Sequence, residues 1–600
     1  MKNKLLVLLN NFLIIPVLMI VLFYILNFLF MDANYAIVMG PIFFSLLIYF
    51  VLEFLFLGLF GDTKKAHVTL CIIILILILI SYIKVAYTNE PLFLSDLDLF
   101  NSCGEIFSFV KGDLFKIILL KYKPIIIAIF ILVALIRYSD IFKYKVENTK
   151  IRCILLCFGI FIFYVLFSYN SCSRYIYKKL LYVKDYSSYT EYKQLYGAWG
   201  IISGMYKVNY ENNDFMKYDK YSDKELDDVV SKVSFKSNNN IGTPNIVVIL
   251  SESFFDTNLL KDDIIYDRDL ISNINTLKSV GYFVDLISPS YGGMTANVSY
   301  QLLTGSNMSI YGNGYIPFMQ QFGDNTKYPS VVRELKSNGY TINEYTGGDP
   351  YKISKQFKAI GFDEYTVINS NGHKKGYYLS DDYVADLIIK KLKNNTNKQF
   401  MLFETMQNHM DYLFTKYDKY DISIKKSKFT KTENGLFLSY GQGVYDADKM
   451  LKKVYDYIQT IDADTLIVFF GDHLPYFKFD GNVDLVTKMS YFNTLNDLDN
   501  LYRRYNTQAL ILSNYDVKLD IQSHLSTDNL LVSIINQMDI KLSNYYKWLY
   551  DTINYLPSYN KYVAVDKNGN LKYIEDLNAN EKSIYELKNA LTYRYYIKNK

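Results

Sequence analysis

The sequence predicts two unlike parts, a multi-span α-helical membrane region followed by an α/β domain with a largely parallel central sheet. Three observations carry that expectation. Residues 1 to about 170 are dominated by Leu, Ile, Phe and Val, whereas residues from about 210 onward have an ordinary soluble composition. Several apolar stretches in the first part are long enough to cross a bilayer. In the second part, short β-branched runs alternate with helical patterns.

A span needs about 20 apolar residues to cross hydrocarbon about 30 Å thick. Five stretches qualify, at about 5–30, 35–60, 67–87, 115–136 and 151–168, with Lys121 and Lys123 interrupting the fourth. Loop charges set their direction. Lys2 and Lys4, then Lys64 and Lys65, then Arg137, Lys143, Lys145, Lys150 and Arg152 fall on one side of a five-span bundle. The alternate segments carry Asp32 in one case, and Glu90, Asp96, Asp98, Glu105 and Asp113 in the other. Basic loops stay in the cytoplasm. An odd number of spans therefore puts everything after about residue 170 outside a multi-pass cell-membrane protein. The first span is too long for a cleaved signal peptide and lacks a small-residue cleavage site.

The expected organisation is a transmembrane domain over 1–168 and a linker with helical stretches over 169–243. An α/β domain over 244–545 and a carboxy-terminal extension over 546–600 follow. A net charge of +4 on 600 residues gives no nucleic-acid signal. All five cysteines (Cys71, Cys103, Cys153, Cys157 and Cys172) precede the α/β domain, which therefore uses no disulfide and no thiolate metal site. Its strand candidates are NIVVIL (245–250), GYFVDLI (281–287), YTINEY (340–345), FMLFET (400–405), TLIVFF (465–470) and QALILS (508–513). Helical patterns such as SVVRELKSNG, DDYVADLIIKKLKN and VYDADKMLKKVYDYIQ lie between them. Alternation of this kind builds a mainly parallel sheet, whose sites lie at the carboxyl ends of its strands.

Those ends offer Glu252 after the first run, and Asp472 and His473 after TLIVFF. Two carboxylates and an imidazole are suitable ligands for a divalent ion. Singly, each reads as well as a helix cap or a structural polar pair; the combination at one sheet edge favours metal. The segment SPSYGGMTANVSYQLLTG (288–305) adds Gly292 and Gly293, which permit a tight backbone approach, and Thr295 at a helix start. A hydroxyl there meets free backbone N–H groups, and a nearby ion would acidify it into a nucleophile. Spacing alone reads Thr295 as an ordinary helix cap.

These segments, in this order, resemble the alkaline-phosphatase/sulfatase superfamily, and within it the lipoteichoic acid synthase-like membrane phosphoglycerol transferases. GGMTANVSYQLLTG is similar to that group's nucleophile segment and FFGDHLP to its metal segment. The layout of spans, linker and exterior sulfatase-like domain is similar too. The resemblance implies that Thr295 is the nucleophile. It implies that Glu252, Thr295, Asp472 and His473 hold one divalent ion, Mn²⁺ or else Mg²⁺ or Zn²⁺. It also implies that His409, in ETMQNHMDY, lies near the substrate phosphate. The implied donor is a phospholipid such as phosphatidylglycerol at the bilayer, and the acceptor a glycolipid or teichoic-type polymer. Phosphoethanolamine transfer to a surface glycan is the nearest alternative. A catalytically silent binding or regulatory protein of the same fold is the alternative of another class.

Two departures stand out. Ser299 occupies a position where the family has Glu. In DPYKISKQFKAIGFDEY (349–365), Tyr351, Lys352 and Ile353 replace an aromatic-Asn-Arg run, so Lys352 or Lys355 would contribute a point charge and not a bidentate fork. His373 reads as a surface residue, Asp381 and Asp382 as a helix cap, and His67 and His524 have no evident partner. The topology is testable. A cysteine at Ser380 in a background cleared of native cysteines should react with an impermeant maleimide on intact cells, and labelling only after permeabilisation would reverse the arrangement.

Overall fold

The computed structural model describes residues 7–598 other than 8, 32–38, 89–90, 95, 97–125, most of 127–142, 169–170, 182–190, 216–219, 233–239, 313–314, 321–327, 349–352, 394–396, 480–482 and 495. The chain divides into two compact units. One comprises Met1–Phe215 with Gly312–Tyr315, and the other Met216–Tyr311 with Ile316–Lys600.

The first unit is helical. Among the described residues, four stretches of helix are long and apolar enough to cross a membrane, Asn10–Asn27, Met39–Phe60, Thr63–Val85 and Thr149–Phe167. The remaining expected span, 115–136, lies almost wholly outside the described residues. We label the helices α1 (Ile15–Met31), α2 (Met39–Phe60), α3 (Thr63–Thr88) and α4 (Thr149–Phe167). Arg152, at the start of α4, donates from Nε to the carbonyl of Gly58 at 3.1 Å and from a second nitrogen to Leu59. It thus satisfies carbonyls that the end of α2 leaves open. Ile154, Phe161 and Tyr164 on α4 are at least 63% exposed, an apolar face that suits an apolar medium. His67 is not alone, because its Nδ1 lies 3.0 Å from the Tyr49 hydroxyl. Much of the expected linker packs into this unit as α5 (Glu191–Phe215), kinked at Gly200. Trp199 and Tyr196 of α5 are fully buried, and its Ser203 hydroxyl donates to the Pro41 carbonyl at 2.6 Å.

The second unit is built on eight strands. They are β1 (Asn245–Ser251), β2 (Tyr282–Ile287), β3 (Thr341–Thr346), β4 (Glu364–Val367), β5 (Gln399–Glu404), β6 (Thr465–Gly471), β7 (Asn506–Ser513) and β8 (His524–Ser526). Their order across the sheet is β8-β2-β7-β6-β1-β5-β3-β4. Only β7 runs against its neighbours; β1, β3, β4, β5 and β6 form a continuous parallel block. Alternate residues of the central strands face opposite sides, and both sides are buried. Val247, Ile249, Met401, Phe403, Ile467 and Phe469 enter one core, while Ile246, Val248, Leu250, Leu402 and Val468 are buried on the other face. That is why these strands read as unbroken apolar runs.

Three further helices are α6 (Thr295–Thr304), α7 (Asp381–Lys393) and α8 (Lys431–Ile458). α8 starts in a capping box between Thr430 and Glu433. It buries Phe437, Tyr440, Val444, Ala447, Leu451, Val454 and Ile458, the three-to-four spacing of a single helix face. Beyond β8 come α9 (Thr527–Ile535), α10 (Asn544–Ile553) and α11 (Ala579–Thr592). The carboxy-terminal segment is an integral part of the packing. The Lys588 ammonium on α11 meets Asp528 of α9 at 3.0 Å, with side chains only 2% and 0% exposed. Asp528 also accepts from Gln301 and Tyr559. Deleting one member of such a pair strands a buried charge. Lys588→Met should therefore destabilise this unit by about 3–5 kcal/mol, read as a lower denaturation midpoint. Adding Asp528→Asn should restore part of the loss, and an unchanged midpoint in the single variant would refute the role.

Candidate metal centre and nucleophile

Strand register brings the first two ligand candidates together. Ser251 at the end of β1 pairs with Gly471 at the end of β6, so Glu252 and Asp472 leave adjacent parallel strands at the same level. A Cβ on Gly471 would stand 2.2 Å from the Phe254 carbonyl oxygen, so only glycine lets the turn after Glu252 fold back over β6. In that turn Ser253 adopts a left-handed φ of 52°. It is held there by its amide donating to Asp472 Oδ1 at 2.7 Å and its hydroxyl donating to Glu252 Oε1 at 2.7 Å. The Glu252 amide donates to Thr405 Oγ1 at 3.1 Å, tying in the end of β5.

Thr295 arrives from the other side of the centre. Gly292, Gly293 and Met294 have consecutive positive φ values of 72°, 155° and 68°. A Cβ on Gly292 would lie 2.9 Å from that of Tyr476, so the chain passes close against the segment after His473. Met294, not Thr295, holds the N-cap position of α6, and no side chain caps this helix. The Thr295 hydroxyl instead donates to Asp472 Oδ2 at 2.8 Å, with Glu252 Oε2 at 3.5 Å. The plain helix-cap reading of Thr295 is therefore not what the geometry shows. Ser253 and Met294 are the two non-glycine residues with positive φ among the described residues, and they adjoin Glu252 and Thr295. Strain of this kind gathers at functional sites.

Glu252, Asp472 and His473 are all buried, with one ligand atom of each within 4.8 Å of the others. His473 Nδ1 lies 3.0 Å from the Leu474 carbonyl and donates to it, leaving Nε2 as an acceptor. That nitrogen has no hydrogen-bond partner, yet it faces Asp472 Oδ2 at 3.3 Å and Glu252 Oε1 at 3.8 Å. Three buried acceptors converge with no donor between the imidazole nitrogen and the two carboxylates, an arrangement that suits a cation, so the donor set fits a divalent ion. Burial pushes the Asp472 carboxyl up to about 6, against the pull of the neighbouring imidazole.

His409 sits on the loop after β5, half-buried, its Nδ1 2.8 Å from the Met410 carbonyl and its ring edge-on to Tyr378. Among the described residues it makes no hydrogen bond to the three ligand candidates. Lys352 lies outside the described residues, and Lys355 is exposed on the helix Ser354–Ile360. His373 is exposed and stacks on Tyr383 at 3.8 Å, while His524 lies 3.7 Å from Asp285. Asp381 proves to be buried, its amide donating to Gln407 at 2.8 Å. Sequence reading missed Ser253, Thr405 and Glu404, the last of which accepts from the Ser299 hydroxyl. Thr405 and Glu404 end the FMLFET run, so a strand-end search would have found them.

Residues 244–540 match the Sulfatase family model. The α/β unit is a sulfatase-family domain. A curated relative, a provisionally named cyclic beta-1,2-glucan modification protein of Rhizobium meliloti (strain 1021), is 30% identical over 239 residues. That match covers 39% of this chain and 36% of the relative, so the chain spans about a third of its length. Among solved structures, the Streptococcus pyogenes phosphoglycerol transferase in complex with sn-glycerol-1-phosphate is 20% identical. It covers 65% of this chain and 93% of its own, with a TM-score of 0.49. The Neisseria meningitidis integral membrane lipooligosaccharide phosphoethanolamine transferase is 12% identical, covering 84% of this chain and 88% of its own, with a TM-score of 0.47.

In the sulfatase-family domain, an ion must displace the proton that Asp472 holds below pH about 6. Metal affinity should be flat above that pH and fall about tenfold per unit below it, as titration calorimetry with Mn²⁺ would show. In the ion-free protein the charged form carries the burial penalty. Its stability should therefore rise as pH falls from about 6 toward the ordinary carboxylate range. Affinity that stays constant down to pH 4.5 would remove Asp472 from the ligand set.

Proposed function

We propose that this chain is a membrane-held phospho-alcohol transferase. On this reading it moves a phosphoglycerol head group from a phospholipid to a glycolipid or teichoic-type polymer at the cell surface. The carrying observation is the Thr295 hydroxyl, 2.8 Å from Asp472 Oδ2 at the first residue of α6 and next to a buried Glu-Asp-His cluster. The resemblance of the nucleophile and metal segments to phosphoglycerol transferases supports the choice of head group.

Glu252, Asp472 and His473 would hold the divalent ion with Thr295 beside it. Once bound, that ion supplies Lewis-acid stabilisation of phosphoryl charge and lowers the pKa of a neighbouring hydroxyl. The protein's own groups supply the rest. The Thr295 proton already points at a carboxylate oxygen, so Oγ1 is turned with its lone pairs away from Asp472. Attack of Oγ1 on the donor phosphorus forms a P–O bond and breaks the bond to diacylglycerol, which leaves with a proton. The phospho-alcohol remains on Thr295 as a diester. An acceptor hydroxyl then attacks the same phosphorus, breaks the bond to Oγ1, and returns a proton to Thr295. Free N–H groups at the start of α6 face the transferred anion favourably. His409, with Nδ1 engaged by Met410, would present Nε2 to the phosphate. Attachment to membrane spans keeps the site near its lipid donor and raises effective concentration.

Thr295→Ala should fold normally, since no cap is lost, and should release no diacylglycerol from phosphatidylglycerol vesicles. Thr295→Ser should retain reduced turnover, because the hydroxyl stays but the methyl that restricts its rotamer is gone. Intact-mass measurement on the parent after exposure to the lipid should show an adduct equal to one phosphoglyceryl group. Diacylglycerol release by the Ala variant at the parent's rate would exclude Thr295 as the attacking group.

A further inference from the structure

Lys416 follows His409 by seven residues and ends the short helix Phe414–Lys416. It is only 2% exposed. Its ammonium donates to the His409 carbonyl at 2.6 Å. Around it stand the rings of Tyr378, Tyr412 and Tyr417, with centroids 5.6, 5.3 and 5.5 Å from Nζ. Among the described residues no carboxylate pairs with it. The anionic groups that act on it, Glu252, Asp381 and Asp411, do so from beyond ion-pair distance. A buried cation without a counter-ion is costly to keep, and three aromatic faces offset only part of that cost.

The cage adjoins the metal centre. Tyr412, one of its walls, feels the charges of Glu252 and Asp472 and packs edge-on at 5.3 Å against Tyr440, whose hydroxyl donates to the Ser253 carbonyl at 2.8 Å. Tyr378, another wall, donates to the Met410 carbonyl at 2.7 Å and receives the His409 ring edge at 5.3 Å. Lys416 therefore clamps the backbone that carries His409 while placing a positive charge behind the cluster.

Charge balance says what that charge is for. Glu252 and Asp472 together bring two negative charges, which one divalent ion cancels. A phosphodiester entering this neutral centre adds one negative charge in a water-poor site, where an unbalanced charge is strongly disfavoured. Lys355 is exposed and cannot serve from a desolvated position. Building on the phospho-transfer reading, we propose that Lys416 is a positioning residue of the phosphodiester subsite. Its ammonium, fixed to the His409 carbonyl inside a three-tyrosine cage, balances the charge of the incoming phosphodiester without touching it.

The test measures binding, so it does not depend on turnover. The probe is glycerophosphoglycerol, a diester whose single charge is constant from pH 6 to 9, titrated calorimetrically into the full-length protein in nanodiscs with Mn²⁺. Burial draws the Lys416 ammonium down to about 7, so the charge is present at pH 6 and lost by pH 9. The parent should bind the diester more weakly as pH rises through that window. Lys416→Met keeps the packing and removes the charge; at pH 6 it should bind about tenfold more weakly than the parent. Lys416→Arg keeps the charge throughout and should lose the lysine's share of the pH dependence. Glu252, Asp381, Asp411, His409 and the three tyrosines face the ammonium in both proteins, so the difference between the two profiles isolates residue 416. Met-variant affinity equal to the parent's at pH 6 overturns the proposal. If that variant fails to melt cooperatively, the Arg variant decides, and a profile superimposable on the parent's overturns it. No binding by the parent itself overturns the phospho-transfer reading and this one with it. Parent binding that Lys416→Met leaves untouched overturns only the role of Lys416.

Discussion

Three acceptor atoms that cannot satisfy one another hold the design of the site together. Glu252 Oε1, Asp472 Oδ2 and His473 Nε2 converge in a buried space with no donor between the nitrogen and the oxygens. Acceptors forced together out of water repel, and the arrangement persists only because surrounding structure over-determines it. Parallel pairing of β1 with β6 fixes the level of both carboxylates. The missing Cβ of Gly471 admits the returning turn, and the left-handed Ser253 spends its amide and hydroxyl on holding the two acids apart. Each device costs something locally, and a divalent ion bound there would turn the converging acceptors into favourable contacts.

The same reasoning explains what the sequence disclosed. All six runs became strands, and the central strands of a sheet covered on both faces carry Val, Ile, Leu and Phe at nearly every position. Two strands had no such mark. β4 is exposed at both ends, with burial too shallow to demand apolar residues, and β8 is three residues long. The reversed direction of β7 was also invisible, since an alternating or continuous apolar run carries no information about polarity along the chain. α8 begins well before its obvious amphipathic stretch, because Gly435, Gly441 and Gly443 dilute the pattern of its first turns. The packing of 191–215 into the helical unit was hidden for another reason. The composition there is polar enough to read as a linker, and contact with α1, α2, α4 and the segment at Leu92 buries Tyr196, Trp199 and Tyr206.

Within the site, legibility followed the backbone. Residues at strand ends were recoverable because topology alone brings strand ends together, and Glu252, Asp472 and His473 needed nothing more. A nucleophile role for Thr295 was suggested only by likeness, since a threonine before a helix is usually its cap. What separates the two roles is a backbone angle. With Met294 left-handed in the cap position, Thr295 moves one residue into the helix and its hydroxyl turns to Asp472. No propensity scale favours methionine there, so the signal could not exist in the sequence. Lys416 was silent for the opposite reason: in sequence it is one more lysine in a Tyr- and Lys-rich loop, and its meaning lies wholly in burial.

Departures from a family pattern carry the same lesson. Ser299 stands where related chains have Glu, and a linear comparison counts a lost carboxylate. In space the Ser299 hydroxyl donates to Glu404 at the end of β5, so a carboxylate occupies that neighbourhood from another element. Glu404 pairs across the sheet with Leu250 of β1, two residues before Glu252, and with Thr346 of β3. That acid is therefore anchored to the strand that delivers Glu252, not to the helix that carries Thr295. A carboxylate thus stands beside α6 although α6 itself carries no acid.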